Sequence, residues 1–115
     1  MKRYTWLLFI VMGFVSACAG FQAGSNIQSG RLAFSIGNYQ MARGYFESAA
    51  QVDPSYIYRS DLPGGSVQSY LGRADYATER YPQARQELEQ ALAINKEDNE
   101  ARLYLGLTLA RLGDR

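Results

Sequence analysis

Histidine is absent from the 115 residues, and cysteine occurs once, at Cys18. Those shortages close off most nucleophilic and metal chemistry. Cys/His and Ser/His arrangements need the missing imidazole, and the usual zinc sites need several thiolates or imidazoles. A surplus of one charge sign is lacking too: 12 basic side chains face 11 acidic ones, for a formal net charge of +1. Binding to nucleic acid or to an anionic membrane surface needs clustered basic charge, which this balance does not supply. Nor does the apolar run WLLFIVMGFV, ten residues from Trp6 to Val15, reach bilayer length. A helix of that size rises about 15 Å, half a hydrocarbon core. What is present, 20 % charged and 47 % hydrophobic residues, is ordinary for one small globular domain.

The first eighteen residues have three parts: MKRYT with two positive charges, the apolar run, and the small residues leading to Cys18. This is the layout of a secretory signal. Val15-Ser16-Ala17-Cys18 resembles the lipobox of bacterial lipoproteins, in which the cysteine thiol is acylated and the chain is cut just before it. The resemblance implies a signal peptide over 1–17, lipidation of Cys18, and, with Ala19 rather than Asp next, export to the outer membrane. Cleavage after Ala19, which also follows a small-x-small pattern, would instead release a soluble protein. FQAGSN, from Phe21 to Asn26, has no helical pattern, and residues 18–25 are expected to form a lipidated tether.

Beyond the tether the chain repeats itself. A shift of 42 residues lays Gly30 on Gly72, Tyr39 on Tyr81, Ala42 on Ala84, Phe46 on Leu88 and Ala49 on Ala91; a further shift of 34 lays Leu71-Gly72 on Leu105-Gly106. Glycine inside a helix costs about 1 kcal/mol relative to alanine, so Gly30, Gly72 and Gly106 are expected where a neighbouring helix comes close. The alanines keep a contact face thin, and Tyr39, Phe46, Tyr81 and Leu88 are expected to fill the space left. Gly37 ends one helix, Asn38 caps the next, Pro82 suits a first turn, and Asp53-Pro54 stops a helix.

The 34-residue period, with Leu-Gly in a first helix and Tyr, Ala, a large apolar residue and Ala in a second, resembles the tetratricopeptide repeat (TPR). The expected fold is an all-α solenoid of antiparallel helix pairs, about two and a half repeats, occupying residues 26–115. Repeat one spans 23–56, an insertion 57–64, repeat two 65–98 and a partial repeat three 99–115. Helices are expected at Asn26 to Ile36, Gln40 to Val52, Val67 to Glu79, Pro82 to Asn95 and Asn99 to Leu112. Three positions depart from the pattern: Lys96 where Pro54 stood, Glu79 where Gly37 stood, and Asp75 in place of a small or aromatic residue. Leu103, Leu105, Leu107, Leu109 and Leu112 occupy more than one helix face, so either another surface covers them or the chain continues into the rest of repeat three.

No catalytic, cofactor or metal residues are assigned. Asp75 with Glu79, lying among Arg73, Arg80 and Arg85, reads as ordinary solvated pairs, and Glu87 and Glu89 cannot share a helix face. Lys96-Glu97-Asp98-Asn99-Glu100 lacks the spacing of a calcium loop and reads as solvent-facing. Pro63-Gly64-Gly65 reads as a turn, and Tyr56, Ile57 and Tyr58 as contacts capping the core.

In proteins this chain resembles, the first helices of successive repeats line a concave groove. By that resemblance the groove comprises Ile27, Arg31 and Phe34, then Ser69, Arg73 and Tyr76, then Leu103, Leu107 and Ala110. Arg31 and Arg73, one repeat apart and flanked by Phe34 and Tyr76, offer charge-assisted hydrogen bonds and ring contacts to an acidic or extended peptide. The alternative is that the arginines are solvated and the rings pack inward. The resulting expectation is a non-catalytic scaffold for a protein or peptide partner. It is anchored to the bacterial envelope through Cys18, on the outer membrane facing the periplasm, and Leu103 to Leu112 offers a surface for self-association.

Overall fold

The computed structural model of the protein describes residues 2–59 and 65–113, with side chains from Cys18 onward. Among the described residues five helices follow one another, α1 (Lys2–Ser35), α2 (Tyr39–Val52), α3 (Val67–Ala77), α4 (Tyr81–Ile94) and α5 (Asn99–Leu112). Between α2 and α3 lie the strands β1 (Ile57–Tyr58) and β2 (Gly65–Ser66), paired antiparallel with Ile57 opposite Ser66 and Tyr58 opposite Gly65. Each helix packs on the next, and α3 also packs on α5. The fold is therefore an all-α helical repeat, and the ends of α2 to α5 fall within two residues of the expected positions.

The start of α1 departs from expectation. Residues 18–25 are not an irregular tether but part of one helix running from Lys2 to Ser35. Ala23 and Ile27, one turn apart, are fully buried, and Gly24 lies under the Tyr56 ring so closely that a Cβ there would stand 2.7 Å from the hydroxyl. The tyrosine from the insertion covers this stretch, and the contact outweighs the poor helix propensity of glycine and serine. The expected signal peptide, Val15, Ser16 and Ala17 included, lies outside the residues with described side chains. Asp61, Pro63 and Gly64 likewise lie outside the described residues. Among the described residues no helix is long and apolar enough to cross a membrane.

The two interhelical turns of the repeats have one geometry, 42 residues apart. Asn38 N–H donates to Ala33 C=O at 2.9 Å and Arg80 N–H to Asp75 C=O at 2.8 Å. Both turns need a left-handed residue, supplied by Gly37 at φ 82° and by Glu79 at φ 64°. For a residue with a Cβ that conformation is costly by about 1–2 kcal/mol, so Glu79 sits where glycine is the natural choice. Asn38 caps α2 by accepting from Met41 N–H at 3.2 Å, whereas Arg80 provides α4 with no side-chain cap. Asp98, expected to face solvent, is buried because its carboxylate caps α5, accepting from Ala101 N–H at 3.0 Å.

Small residues set the helix spacing. Ala42, Ala49, Ala84 and Ala91 are all fully buried. The Phe46 ring covers Gly30 and the Leu88 side chain covers Gly72, each occupying the place a Cβ would take. Phe46 belongs to a core shared by α1, α2 and α3, and Leu88 to a second core with Ala84, Ala91 and Ala101. Three expectations fail here. Tyr39 does not fill the core but stacks on Phe34, ring centres 4.9 Å apart, and Tyr81 stacks on Tyr76 at 5.7 Å. Gly106 has nothing within 4 Å of its Cβ position, since no helix stands against α5 as α2 stands against α1 and α4 against α3.

Asp75 is a further correction, because it is not solvated. It replaces Ala33 of the first repeat, is 2 % exposed, and accepts from Arg43 Nε at 2.7 Å, with Arg80 Nε at 3.4 Å. Burial raises its carboxyl above the ordinary range, opposed by the hydrogen bond and charge of Arg43 and then the charge of Arg80. Glu87 is raised by burial and by the nearby negative charge of Asp75. A buried carboxylate between two guanidiniums ties α2, α3 and the turn into α4 at one point, because removing either charge would leave the other stranded.

The packing predicts opposite signs for one substitution at equivalent positions. Gly72→Ala forces its methyl against Leu88 and lowers stability by about 1–3 kcal/mol. Gly106→Ala meets open space and raises stability by about 0.5–1 kcal/mol through helix propensity. Urea unfolding followed by circular dichroism checks both.

Candidate functional site

The eight-residue insertion changes how the first two repeats meet. α1 touches α3 far less than α3 touches α5, and Tyr58 of β1 sits in the gap between them. Tyr58 is buried, meets Tyr70 of α3 edge-on with ring centres 6.2 Å apart, and lies 5.0 Å beneath the Arg31 guanidinium of α1. Below that wedge a cavity of about 130 Å³ opens, lined by Arg31, Phe34 and Ser35 from α1, Phe46 from α2, and Tyr70 and Arg73 from α3.

Helix periodicity supplies this arrangement. Arg31, Phe34 and Ser35 lie at i, i+3 and i+4 on one face of α1, and Tyr70 and Arg73 at i and i+3 on α3. Phe46, whose ring covers Gly30, forms the floor, 5.4 Å between centres from Tyr70. The Arg73 guanidinium lies 4.4 Å over the Tyr70 ring, its Nε donates to Ser69 C=O at 3.3 Å, and Nη1 stands 3.7 Å from Glu100. Burial raises the Tyr70 hydroxyl above its ordinary value, against the charges of Arg73 and Arg31, so it stays protonated at neutral pH. The walls are therefore mainly aromatic, and two guanidiniums, each backed by a ring, stand at the edge.

The structure brings together three of the expected groove residues, Arg31, Phe34 and Arg73, around this one cavity. The others lie elsewhere. Ile27 is fully buried in the first core, and Ser69 is 1 % exposed with its hydroxyl making no hydrogen bond. Both point inward because the turn of helix facing the groove is covered here by the insertion. Tyr76 packs between Tyr81 and Tyr104, at 5.7 and 5.6 Å, and does not line the cavity. Leu103 and Leu107, 57 % and 40 % exposed, belong to a separate surface on α5 that includes exposed Ala110. Cys18 is a free thiol, exposed.

Sequence reasoning missed Ser35, Phe46, Tyr70 and Tyr58. Ser35 and Tyr70 were within reach, each one helical turn from an arginine already chosen. Phe46 was assigned to the core, which is also true, since one face of its ring is packed and its edge lines the cavity. Nothing in the sequence placed Tyr58 under Arg31. Of the core-capping residues expected in the insertion, Tyr56 and Tyr58 do pack on the first core, while Ile57 remains 37 % exposed.

Residues 72–113, from the glycine of α3 to the end of α5, match the family model described as "TPR repeat". Among solved structures, the Arabidopsis OM64 TPR domain resembles this chain with a TM-score of 0.70 and 16 % identity, over 82 % of this chain and 71 % of that one. At that identity the likeness concerns the fold, and it is the fold of a helical repeat. No curated protein matches the sequence. Tetratricopeptide repeats are interaction modules: stacked helix pairs present extended surfaces to other proteins.

Proposed function

We propose that this chain is a lipid-anchored helical-repeat adaptor of the bacterial envelope that binds a protein partner through the Arg31–Arg73 cavity and performs no reaction. The observation carrying this reading is the convergence of two arginines from successive repeats on one aromatic-walled cavity. Charge-assisted hydrogen bonds from such a pair favour acidic segments, and the rings contact whatever adjoins the acid. Carboxylates that an enzyme would need are engaged otherwise: Asp75 is tied to Arg43 and Arg80. Changing both arginines, Arg31→Glu with Arg73→Glu, is expected to abolish capture of the cross-linked partner from intact cells, with helicity by circular dichroism unchanged. Capture that survives would return the arginines to the role of solvated surface residues.

The anchor reading rests on Val15-Ser16-Ala17-Cys18 and on the exposure of the Cys18 thiol. With Ala19 next, the resemblance favours the outer membrane, facing the periplasm. From Cys18 to the first buried residue, Ala23, the helix advances about 7.5 Å, so an acyl group on Cys18 would hold the folded body against the bilayer with no slack. Two or more acyl chains give durable attachment. Cys18→Ala is expected to stop lipid labelling and to move the protein from the membrane to the soluble fraction. Unchanged fractionation would favour the released, soluble form.

A second reading, self-association through α5, is favoured by one observation: Leu103, Leu107 and Leu112 are 57 %, 40 % and 37 % exposed beside the unfilled position at Gly106. Light scattering on the chain beginning at Cys18 is expected to show a dimer at micromolar concentration, lost in Leu107→Glu. A monomer would remove this reading and leave the adaptor reading intact.

A further inference from the structure

The cavity between α1 and α3 has a size and a chemistry that restrict what enters it. Its volume, about 130 Å³, is close to that of the engineered apolar cavities of roughly 150 Å³ that take up one benzene molecule. The walls given by Phe34, Phe46 and Tyr70 are aromatic faces and edges, and the polar lining comes from Arg31, Arg73 and Ser35. Such a space holds one side chain of leucine or phenyl size; indole is too large for it, and glycine leaves it empty.

The two guanidiniums restrict the neighbouring group. Each lies over a ring, Arg31 on Tyr58 and Arg73 on Tyr70, so its orientation is set before a ligand arrives, which lowers the ordering cost of binding. The carboxylate already near Arg73 is Glu100, at 3.7 Å and half exposed, a contact weak enough for an incoming carboxylate to displace.

We infer that the cavity is a specificity pocket for a peptide carrying one apolar side chain of leucine size directly beside a carboxylate, the side chain entering the cavity and the carboxylate resting on Arg31 and Arg73. The inference rests on the partner-binding reading above and adds what the partner must present. The carboxylate is either the free end of a chain terminating in the apolar residue or an acidic side chain following it. The chemistry is shared, and the test separates the two. The wedge of Tyr58 is what makes the pocket, because without it α1 would close on α3 as α3 and α5 close on each other.

The test uses fluorescein-labelled synthetic peptides and fluorescence anisotropy with the full chain in detergent solution. The probes are Gly-Ser-Gly-Ser-Gly-Leu with a free carboxylate, its C-terminal amide, versions ending in Gly or Trp, and an amidated peptide with an internal Leu-Glu. The leucine acid, the internal Leu-Glu peptide, or both are expected to bind; whichever is tighter identifies the source of the carboxylate. Loss of the carboxylate is expected to weaken binding about tenfold or more, as for a charge-assisted hydrogen bond. Replacing Leu by Gly or Trp is expected to weaken it by a similar factor. Ser35→Leu, at an exposed site on the rim, fills the pocket and is expected to erase the preference for Leu over Gly. Glu100→Gln removes the competing carboxylate and is expected to tighten binding of the carboxylate peptides. Equal binding of the Gly and Leu acids, or of the Leu acid and its amide, would overturn the specificity pocket while leaving partner binding in place. Failure of every carboxylate peptide to bind, or binding unaltered in the double variant Arg31→Gln, Arg73→Gln, would overturn both.

Discussion

The approach of helices across a glycine is the contact on which the rest of this structure hangs. Phe46 over Gly30 and Leu88 over Gly72 occupy the volume that any side chain would take, and fully buried alanines on either side of Phe46 and Leu88 let the same pair of helices stay close along their length. Two consequences follow. The helix axes cannot separate without opening a void beneath a large apolar residue, which is costly in a close-packed interior. The ridge that does the filling also has a free edge, and at Phe46 that edge becomes the floor of a cavity.

From that spacing the site can be built outward. A fixed distance between α1 and α2 sets where Arg31 and Phe34 stand. α3 would then fall close against α1 were it not for the eight inserted residues, whose Tyr58 occupies the gap and supports Arg31. Tyr56 of the same insertion packs against Gly24 and draws the N-terminal extension of α1 into the body. One short insertion therefore both makes the cavity and orders the stretch beyond it. The buried Asp75, held by Arg43 and Arg80, fixes α3 from its other side, so that Tyr70 and Arg73 face the cavity from a helix secured at both ends.

Places where the chain departs from its own repeat are where its individual features concentrate. Glu79 accepts a left-handed backbone that Gly37 takes without strain. Asp75 exchanges an alanine for a charge that needs two partners, and Gly106 keeps the small residue of the pattern with nothing against it. Against these local costs, the same hydrogen-bonded turn recurs 42 residues apart, and consistency of that kind across repeats is what makes a solenoid fold as one unit.

Helix identity, order and ends were legible because they depend on local rules: a 3.6-residue apolar period, a left-handed glycine at Gly37, a cap at Asn38, a proline near the start of α4. The pairing of helices was legible as well, because glycine and alanine at fixed intervals have no other good explanation than close contact. Arg31, Phe34 and Arg73 could be placed on one groove by counting turns. What only the tertiary structure decided were matters of which surface meets which. Ile27 and Ser69 turned inward, Tyr76 went to an aromatic cluster, residues 18–25 became helix, and Tyr58 came to lie under Arg31. Each depends on where an irregular insertion folds back, and its path follows from long-range packing rather than from any period in the residues themselves.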